Sequence, residues 1–216
     1  MKSSESKEKI AVIGLGYVGL PLMYELTKKF TTIGFDISKS RVEALKKGID
    51  ITGELNAKQL NKISKNLTFS TQDIEECSTY IVSVPTPIKK NKLPDLDPIN
   101  QACKLVGGLL KKGNLIIFES TVYPGLTEDH CVPLLEKTSN LTYQDDFSVG
   151  YSPERINPGD KIHTLTSIIK IVSGSNKKTL TRVNNIYSKI IKAGTYQAPS
   201  IKVAEAAKVI ENTQRD

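Results

Sequence analysis

The sequence Ile-Ala-Val-Ile-Gly-Leu-Gly-Tyr-Val-Gly occupies residues 10–19 and sets the architecture of the chain. Four apolar residues predict a buried strand, and Gly14, Gly16 and Gly19 follow it in the spacing GxGxxG. The first glycine of this pattern permits a tight turn, the second lets backbone approach a pyrophosphate, and the third lets the next helix pack against the strand. Pro21 is compatible with that helix because the first helical turn needs no amide donors. We therefore predict a strand–turn–helix unit that binds a dinucleotide; a tight corner without a ligand is the competing interpretation.

An acidic residue follows at the distance that dinucleotide sites require. The second apolar run, TTIGFDI, contains Asp36, which lies 22 residues after Gly14. A carboxylate there accepts hydrogen bonds from both ribose hydroxyls of an adenosine moiety and repels a 2′-phosphate, so NAD is favoured over NADP. Arg41 keeps the alternative open, because a guanidinium could accommodate that phosphate; it could equally be a solvated residue in the first turn of the next helix.

Short apolar runs alternate with segments of helical periodicity along the whole chain. Runs of valine and isoleucine without polar alternation are typical of strands that are covered on both faces. The runs lie at residues 10–14, 32–36, 67–69, 80–84, 115–119, 147–151 and 168–172. Repeated strand–helix–strand units predict an α/β fold with a doubly wound, mostly parallel sheet of the Rossmann type.

One helix is predicted with particular clarity after the proline-rich stretch PTPIKKNKLPDLDP. Asp97 is expected to be its N-cap and Pro98 its first residue, and the helix is expected to stop at Gly113. Its apolar residues recur with helical spacing and include Cys103. We therefore assign Cys103 to core packing.

Composition excludes several classes of protein. The chain has 216 residues, of which 38% are hydrophobic and 25% charged, as in an ordinary globular domain. No apolar run approaches the ~20 residues of a membrane span, and the amino terminus, MKSSESKEK, is charged where a secretory signal would be apolar. The three cysteines are odd in number and widely spaced, which predicts neither a disulfide framework nor a metal site. We therefore expect a cytoplasmic protein.

The charge pattern argues against a nucleic-acid partner. The formal net charge is +7, but the surplus lysines lie in scattered doublets and not in one stripe with aromatic residues. His130 and His163 are isolated from other potential ligands in the sequence, so no metal site is expected.

Polar residues follow three of the predicted strands, where open parallel sheets place their ligands. The segments are SVPTP at 83–87, ESTVYPG at 119–125 and SPERINPG at 152–159. Simpler interpretations exist for each, because Ser120 and Thr121 could cap the next helix and Glu154 with Arg155 could form a surface ion pair.

The last predicted helix starts near Ser200 and shows no stop signal before Asp216. An apolar stripe (Val203, Ala206, Ala207 and Ile210) runs along one face, and Glu205, Lys208 and Asn212 share the opposite one, for which solvent exposure is the default explanation. We expect a disordered tail at 1–8, a dinucleotide-binding domain at 9–199 and the start of a long interdomain helix at 200–216. The later domains are expected to be absent from this chain.

Six motifs in this order resemble one family, the nucleotide-sugar 6-dehydrogenases that act on UDP-glucose and GDP-mannose. They are IAVIGLGYVGLPL, FDISKSRVEALKKG, SVPTP, ESTVYPG, GYSPERINPGD and AEAAKVIENT. The resemblance covers nearly the whole chain from Lys9 onward and implies oxidation of a sugar 6-hydroxyl to a carboxylate with two NAD.

The resemblance also implies roles for individual residues. Those implied to bind NAD are Gly14, Gly16, Tyr17, Val18, Gly19, Asp36, Arg41, Pro85, Thr86, Ser120 and Thr121. The implied catalytic residues are Thr121, Glu154, Lys208 and Asn212, and the implied substrate contacts are Glu154, Arg155, Lys208 and Asn212. Among these, Glu154 corresponds to a glutamate associated with thioester hydrolysis, and Lys208 and Asn212 to residues that bind substrate and stabilise an oxygen anion.

The chain departs from the family pattern in two respects. The family's cysteine nucleophile belongs to a glycine-rich motif of a second domain, and none of the three cysteines here has such surroundings. We therefore predict a truncated enzyme that is inactive alone, although its full-length form is expected to be a homodimer. The sequence PERINPGD resembles the branch that acts on UDP-N-acetylhexosamines for bacterial polysaccharides, and UDP-glucose and GDP-mannose remain alternative substrates.

Two other functions compete with this one. A related NAD enzyme of the 3-hydroxyacid or 6-phosphogluconate type would share the first motif, but STVYPG and PERINPGD argue against it. A non-catalytic module that senses NAD would share the fold and the cofactor site.

Overall fold

The computed structural model describes residues 8–89, 93–154 and 165–215, and eight strands in these ranges form one sheet. In chain order the strands are β1 (Lys9–Ile13), β2 (Thr31–Phe35), β3 (Leu67–Thr68), β4 (Thr79–Val82), β5 (Leu115–Phe118), β6 (Ser148–Tyr151), β7 (Lys170–Gly174) and β8 (Thr195–Gln197). Their order across the sheet is β3-β2-β1-β4-β5-β6-β7-β8. The first six strands are parallel, β7 runs antiparallel to β6, and β8 runs parallel to β7. The predicted doubly wound, mostly parallel Rossmann sheet is confirmed.

Helices cover both faces of the sheet. They are α1 (Gly19–Thr27), α2 (Lys39–Lys46), α3 (Ala57–Ile63), α4 (Asp97–Gly107), α5 (Val132–Ser139), α6 (Lys177–Tyr187) and α7 (Ile201–Arg215), and a π-helical turn, Thr127–Cys131, leads into α5. Polar side chains cap four of them, because the side-chain oxygens of Ser38, Asn56, Asn176 and Ser200 accept from amides in the first turns of α2, α3, α6 and α7.

Alternate residues of the strands enter two separate hydrophobic cores. In β1, Ala11 and Ile13 pack in the core under α4, α5 and α7, whereas Ile10 and Val12 pack in the core under α1, α2, α3 and α6. These four side chains are at most 3% exposed. The apolar runs therefore have the composition of strands buried on both faces, as expected.

Several local predictions were wrong. Asp97 is the first helical residue of α4 and not its N-cap, because the side chain of Asp95 accepts from the Asp97 amide. The helix ends at Gly107, and Gly113 belongs to the turn before β5. Strand β8 was missed because it has three residues, two of them exposed, and so lacks an apolar run.

The chain termini are described in part. Residues 1–7 of the predicted tail lie outside the described residues, whereas the Glu8 carboxylate lies 2.5 Å from Nη2 of Arg182. Within the described ranges, no helix has both the length and the apolar character needed to cross a membrane.

The glycine turn between β1 and α1 leaves no room for larger residues at two positions. Gly14 has φ +95°, which side chains disfavour, and a Cβ on Gly19 would lie 1.9 Å from the Gly14 carbonyl oxygen. A Cβ on Gly16, by contrast, would meet no atom within 4 Å. Gly14 therefore permits the backbone conformation of the turn, Gly19 permits close packing of α1, and Gly16 borders open space.

We expect Gly19→Ala and Gly16→Ala to differ in stability. Gly19→Ala forces backbone apart and should lower the free energy of unfolding by about 1–3 kcal/mol, whereas Gly16→Ala should change it by less than about 0.5 kcal/mol. Urea denaturation of both variants measures the difference. Equal effects would contradict the packing role assigned to Gly19.

Candidate dinucleotide and substrate groove

Two adjoining cavities lie at the carboxyl edge of the parallel strands. The first has a volume of about 410 Å³ and extends from the glycine turn to Asp36 and Arg41. The second has a volume of about 250 Å³ and extends to Glu154 and Lys208. Both are lined by Gly16 and by the segment 83–85. The two cavities therefore form one groove across the point where the strand order reverses, between β1 and β4.

Asp36 lies at the end of β2 and is fixed by two backbone amides. Its Oδ2 accepts from the Leu15 amide at 2.9 Å, and its Oδ1 accepts from the Ser38 amide at 2.9 Å. Each carboxylate oxygen can accept more than one hydrogen bond, so both remain able to receive a hydroxyl. The structure thus places Asp36 in the first cavity, with both carboxylate oxygens able to accept a further hydrogen bond.

Arg41 is engaged by the protein itself. Its Nη2 donates to the Leu15 carbonyl at 2.9 Å and lies 2.8 Å from Oδ1 of Asp50, whose side chain is 1% exposed. Burial raises the pKa of Asp50, but hydrogen bonds from Thr52, Leu55 and Arg41 outweigh it and hold that pKa below its usual value. Arg41 lines the first cavity, yet it fastens the glycine turn to the loop after α2 and is not a solvated residue.

The open space beside the glycine turn fits a dinucleotide. Gly16 borders both cavities, and the space beside its Cα is open, so a pyrophosphate could approach the backbone there. Tyr17 and Val18 line the second cavity beside Gly16. All the residues predicted to hold NAD except Gly19 line one or both of these cavities, with Asp36 at one end of the groove.

The loops after β4 and β5 are tied to each other by two hydroxyl groups. Ser120 Oγ donates to the Val84 carbonyl at 2.6 Å, and Thr86 Oγ1 donates to the Thr121 carbonyl at 2.6 Å. The Ser120 hydroxyl therefore does not cap the following helix. With Pro85, the residues 86, 120 and 121 line the second cavity, where sequence reasoning placed them.

Glu154 is 7% exposed, and its carboxylate pairs with a buried lysine. Its Oε2 lies 3.1 Å from Nζ of Lys170, and this nitrogen also lies 3.0 Å from Oε2 of Glu119. Tyr187 donates a short hydrogen bond to the other oxygen of Glu119. Arg155, the other residue of the expected pair, lies outside the described residues.

Helix α7 turns its polar face toward the domain. Glu205 is fully buried and Lys208 is 6% exposed, whereas Val203 and Ile210 are 46% and 59% exposed. The default expectation of a solvated polar face was therefore wrong. Lys208 lines the second cavity, and the side chain of Asn212 lies outside the described residues.

Glu205 joins α7 to the loop after β5. Its Oε2 accepts from the Gly125 amide at 2.5 Å, and its Oε1 accepts from the Thr127 amide at 3.0 Å. These two amides lie at the start of the π-helical turn and have no hydrogen-bond partner within it. The Glu205 carboxylate on α7 therefore caps them, although α7 is distant in sequence. Glu205 therefore fixes both the loop that carries Thr121 and the helix that carries Lys208.

Cysteine thiols do not reach the groove. Cys77, Cys103 and Cys131 are reduced, at most 2% exposed, and placed in the core, as predicted for Cys103. Burial raises the pKa of Cys77 to about 11. His130 pairs with Asn100, and among the described residues no group of three or more His, Cys, Asp or Glu is arranged to hold a metal ion.

Two residues of this site, Lys170 and Tyr187, were not predicted from the sequence. The capping role of Glu205 was not predicted either. A signal existed for Lys170, because it is a charged residue inside the predicted apolar run 168–172. A lysine in a buried strand requires an acidic partner, and that requirement points to Glu119 or Glu154.

We expect the loss of Glu205 to weaken the attachment of α7. Glu205→Ala leaves two amides buried without partners and should lower the free energy of unfolding by about 1–3 kcal/mol. Lys202→Ala is the matched control on the same helix, since its ion pair with Asp129 at 3.3 Å is exposed and should contribute less than about 1 kcal/mol. Chemical denaturation and amide exchange of α7 measure both; equal effects would exclude the capping role.

Comparisons with known proteins agree with this geometry. Residues 8–191 match the model of the UDP-glucose/GDP-mannose dehydrogenase family, NAD binding domain. The chain is 56% identical over 209 residues to a UDP-N-acetyl-D-glucosamine 6-dehydrogenase of Pseudomonas aeruginosa, covering 96% of this chain and 50% of that protein. It is 53% identical to the enzyme of the same name from Salmonella typhi, covering 96% and 49%.

Among solved structures, the UDP-D-ManNAc dehydrogenase of Pyrococcus horikoshii superposes with a TM-score of 0.87 at 30% identity, covering 96% of this chain and 50% of that one. The chain spans about half the length of the curated relatives it matches. The glycine turn, the placement of Asp36 and the match over residues 8–191 together establish that this chain belongs to the UDP-glucose/GDP-mannose dehydrogenase family and contains its NAD-binding domain.

Proposed function

We propose that this chain is the cofactor-binding part of an enzyme that oxidises C6 of a UDP-N-acetylhexosamine to a carboxylate. The observation that carries the proposal is the single groove that begins at Asp36 and ends at Glu154 and Lys208. A dinucleotide with its adenosine at Asp36 would direct its other end toward the second cavity. The sugar would then meet the buried charged side chains there.

The residues at the two ends of the groove have different tasks. Asp36 and the amides of the glycine turn would hold NAD, which when bound accepts hydride from the sugar carbon. Lys208 is a buried cation whose charge would stabilise an oxygen anion on that carbon. Glu154 faces the same cavity and would orient or deprotonate the water that releases the acid product. Thr121 lines the wall between these two ends.

The reaction needs a nucleophile that this chain does not place in the groove. Alcohol oxidation to the acid removes two hydrides and adds one water oxygen, so the intermediate aldehyde must be trapped before the second oxidation. A thiolate suits that task, but the three cysteines lie in the core. We therefore propose that the nucleophile comes from another domain and that the 216 residues alone do not complete the reaction.

The proposed substrate class rests on the resemblance of PERINPGD and on the names of the relatives. Those at 56% and 53% identity are UDP-N-acetyl-D-glucosamine 6-dehydrogenases, and a relative from Campylobacter jejuni at 35% is a UDP-N-acetyl-D-mannosamine dehydrogenase. We place UDP-N-acetylglucosamine first and UDP-N-acetylmannosamine second. The alternative substrates are UDP-glucose and GDP-mannose, and the alternative function is NAD sensing without catalysis. The experiments below distinguish these from the proposal.

Location and assembly belong to the same proposal. The three reduced, buried cysteines are typical of a reducing compartment, which supports the cytoplasm. The exposed apolar residues of α7, Val203, Val209 and Ile210, support a homodimer that forms through this helix.

Substitution of Asp36 should weaken NAD binding. Asp36→Asn keeps an acceptor at the end of β2 but loses the charge, and it should reduce the affinity for NAD at least about tenfold. It should also reduce the preference for NAD over NADP, because the carboxylate no longer repels a 2′-phosphate. Calorimetric titration of the 216-residue chain measures both cofactors. Asp145→Ala, an exposed residue outside the groove, is the control and should bind NAD normally. Equal binding by the two variants would contradict the site.

Turnover should require the rest of the gene product. The 216-residue chain should release no NADH with UDP-N-acetylglucosamine, whereas the full gene product should release two NADH per sugar. A spectrophotometric assay with four substrates, the two UDP-N-acetylhexosamines, UDP-glucose and GDP-mannose, ranks the sugars. Faster turnover of UDP-glucose or GDP-mannose would overturn the substrate class, and no turnover of any sugar would favour the sensing role.

A further inference from the structure

A buried lysine stands between two buried carboxylates at the end of the second cavity. Nζ of Lys170 is 3.0 Å from Oε2 of Glu119 and 3.1 Å from Oε2 of Glu154. The side chains are 3%, 0% and 8% exposed, respectively. Three charges are thus removed from water together, an arrangement that is stable only with well-placed partners for each of them.

The antiparallel direction of β7 brings this lysine to the groove. A strand parallel to β6 would start at the opposite edge of the sheet, whereas β7 starts at the edge where β6 ends. The register pairs Gly150 with Gly174 and Tyr151 with Ser173. Lys170 is the first residue of β7, and Glu154 lies three residues after the end of β6, so the two side chains meet at this edge of the sheet.

The far side of the cluster is closed by Tyr187. Its hydroxyl donates to Glu119, and Nζ of Lys170 lies 5.6 Å from the centre of its ring. Burial raises the pKa of Glu119. Burial opposes the charge of Lys170, but the two carboxylates outweigh it and raise the pKa of the lysine. Lys170 therefore stays protonated at neutral pH.

The two carboxylates are not equivalent. Both glutamates line the second cavity, but the side chain of Glu119 has no exposed surface and is held by Lys170 and Tyr187, whereas Glu154 exposes 8% of its side chain. Glu154 is thus the member of the cluster that a ligand could touch. Glu119 and Tyr187 instead restrain the lysine.

We propose that Lys170 is a positioning residue for Glu154, which it holds ionised and oriented toward the second cavity, while Glu119 and Tyr187 hold Lys170. This inference rests on the proposed function, in which Glu154 acts at the sugar carbon. It assigns a role to an ion-pair cluster that neither binds the cofactor nor is needed to form the glycine turn. Without the lysine, two buried carboxylates would face each other, and one of them would take up a proton.

The direct test observes the carboxylate itself. Carbon-13 NMR titration of glutamate side chains in the 216-residue chain, with Glu154→Gln to assign the signal, should show Glu154 titrating about one pH unit or more higher in Lys170→Met. Lys192→Met, which removes an exposed lysine, is the control and should leave the titration unchanged. An unchanged titration in Lys170→Met would overturn the proposal, whatever the enzyme's activity.

The full gene product supplies a second readout. In Lys170→Met the acid limb of the pH dependence of kcat should move upward with the NMR titration, while KM for NAD stays within about twofold, because Asp36 lies at the other end of the groove. Within residues 8–89, 93–154 and 165–215, the other titratable side chains around the cluster are Tyr187, Tyr151, Glu205 and Lys208, and Lys170→Met leaves all four in place. A pH profile that does not move would overturn the positioning role even if the protein is destabilised.

A double variant covers the case in which Lys170→Met does not fold. Lys170→Met/Glu119→Gln removes one negative and one positive charge, and the amide can still accept from Tyr187. We expect it to fold and to show an upward shift smaller than that of the single variant. A pH profile like that of the unsubstituted enzyme would overturn the proposal. Absence of dehydrogenase activity in the unsubstituted gene product would instead overturn the proposed function, and the NMR titration would still decide the role of Lys170.

Discussion

Several backbone groups of the glycine turn find their hydrogen-bond partners on the elements around the groove. The Leu15 amide donates to Asp36, the Leu15 carbonyl accepts from Arg41, and the Gly14 carbonyl accepts from the Ser83 hydroxyl at 2.9 Å. An unpaired buried amide or carbonyl costs about as much as a lost hydrogen bond. The contacts that satisfy the turn therefore also bring the end of β2, the start of α2 and the loop after β4 to the cofactor cavity.

The end of the groove at Glu154 and Lys208 is stabilised differently, because it is built from buried charged side chains. Glu205 caps amides from a helix that is distant in sequence, and Lys170 pairs with carboxylates that follow β5 and β6. Each charge is stable only when its partners are in place, so removal of any partner leaves an uncompensated charge. The cofactor end thus depends on backbone geometry, and the substrate end depends on side-chain electrostatics. The two ends are joined by the hydrogen bonds of Ser120 and Thr86 between neighbouring loops.

Helix α7 shows how periodicity can identify a helix and still assign its faces wrongly. The apolar stripe with Val203 and Ile210 faces away from the domain, and Glu205 and Lys208 face inward, because buried amides and the cavity supply their partners. A hydrophobic pattern predicts which face is buried against apolar surface, but it does not identify the surface. The exposed apolar face of α7 fits the assembly proposed above.

Sequence patterns predicted the parallel strands, the glycine turn, the position of Asp36 and the loops that line the groove. These features depend on local spacing and on the rule that parallel strands end at one edge. The partners of Arg41, Glu205 and Lys170 became visible only in the folded chain, as did β8, whose three residues carry no apolar signal. The physical reason is range: Glu205 and Gly125 are 80 residues apart and Lys170 and Glu119 are 51 apart, so no pattern of neighbouring residues encodes their contact.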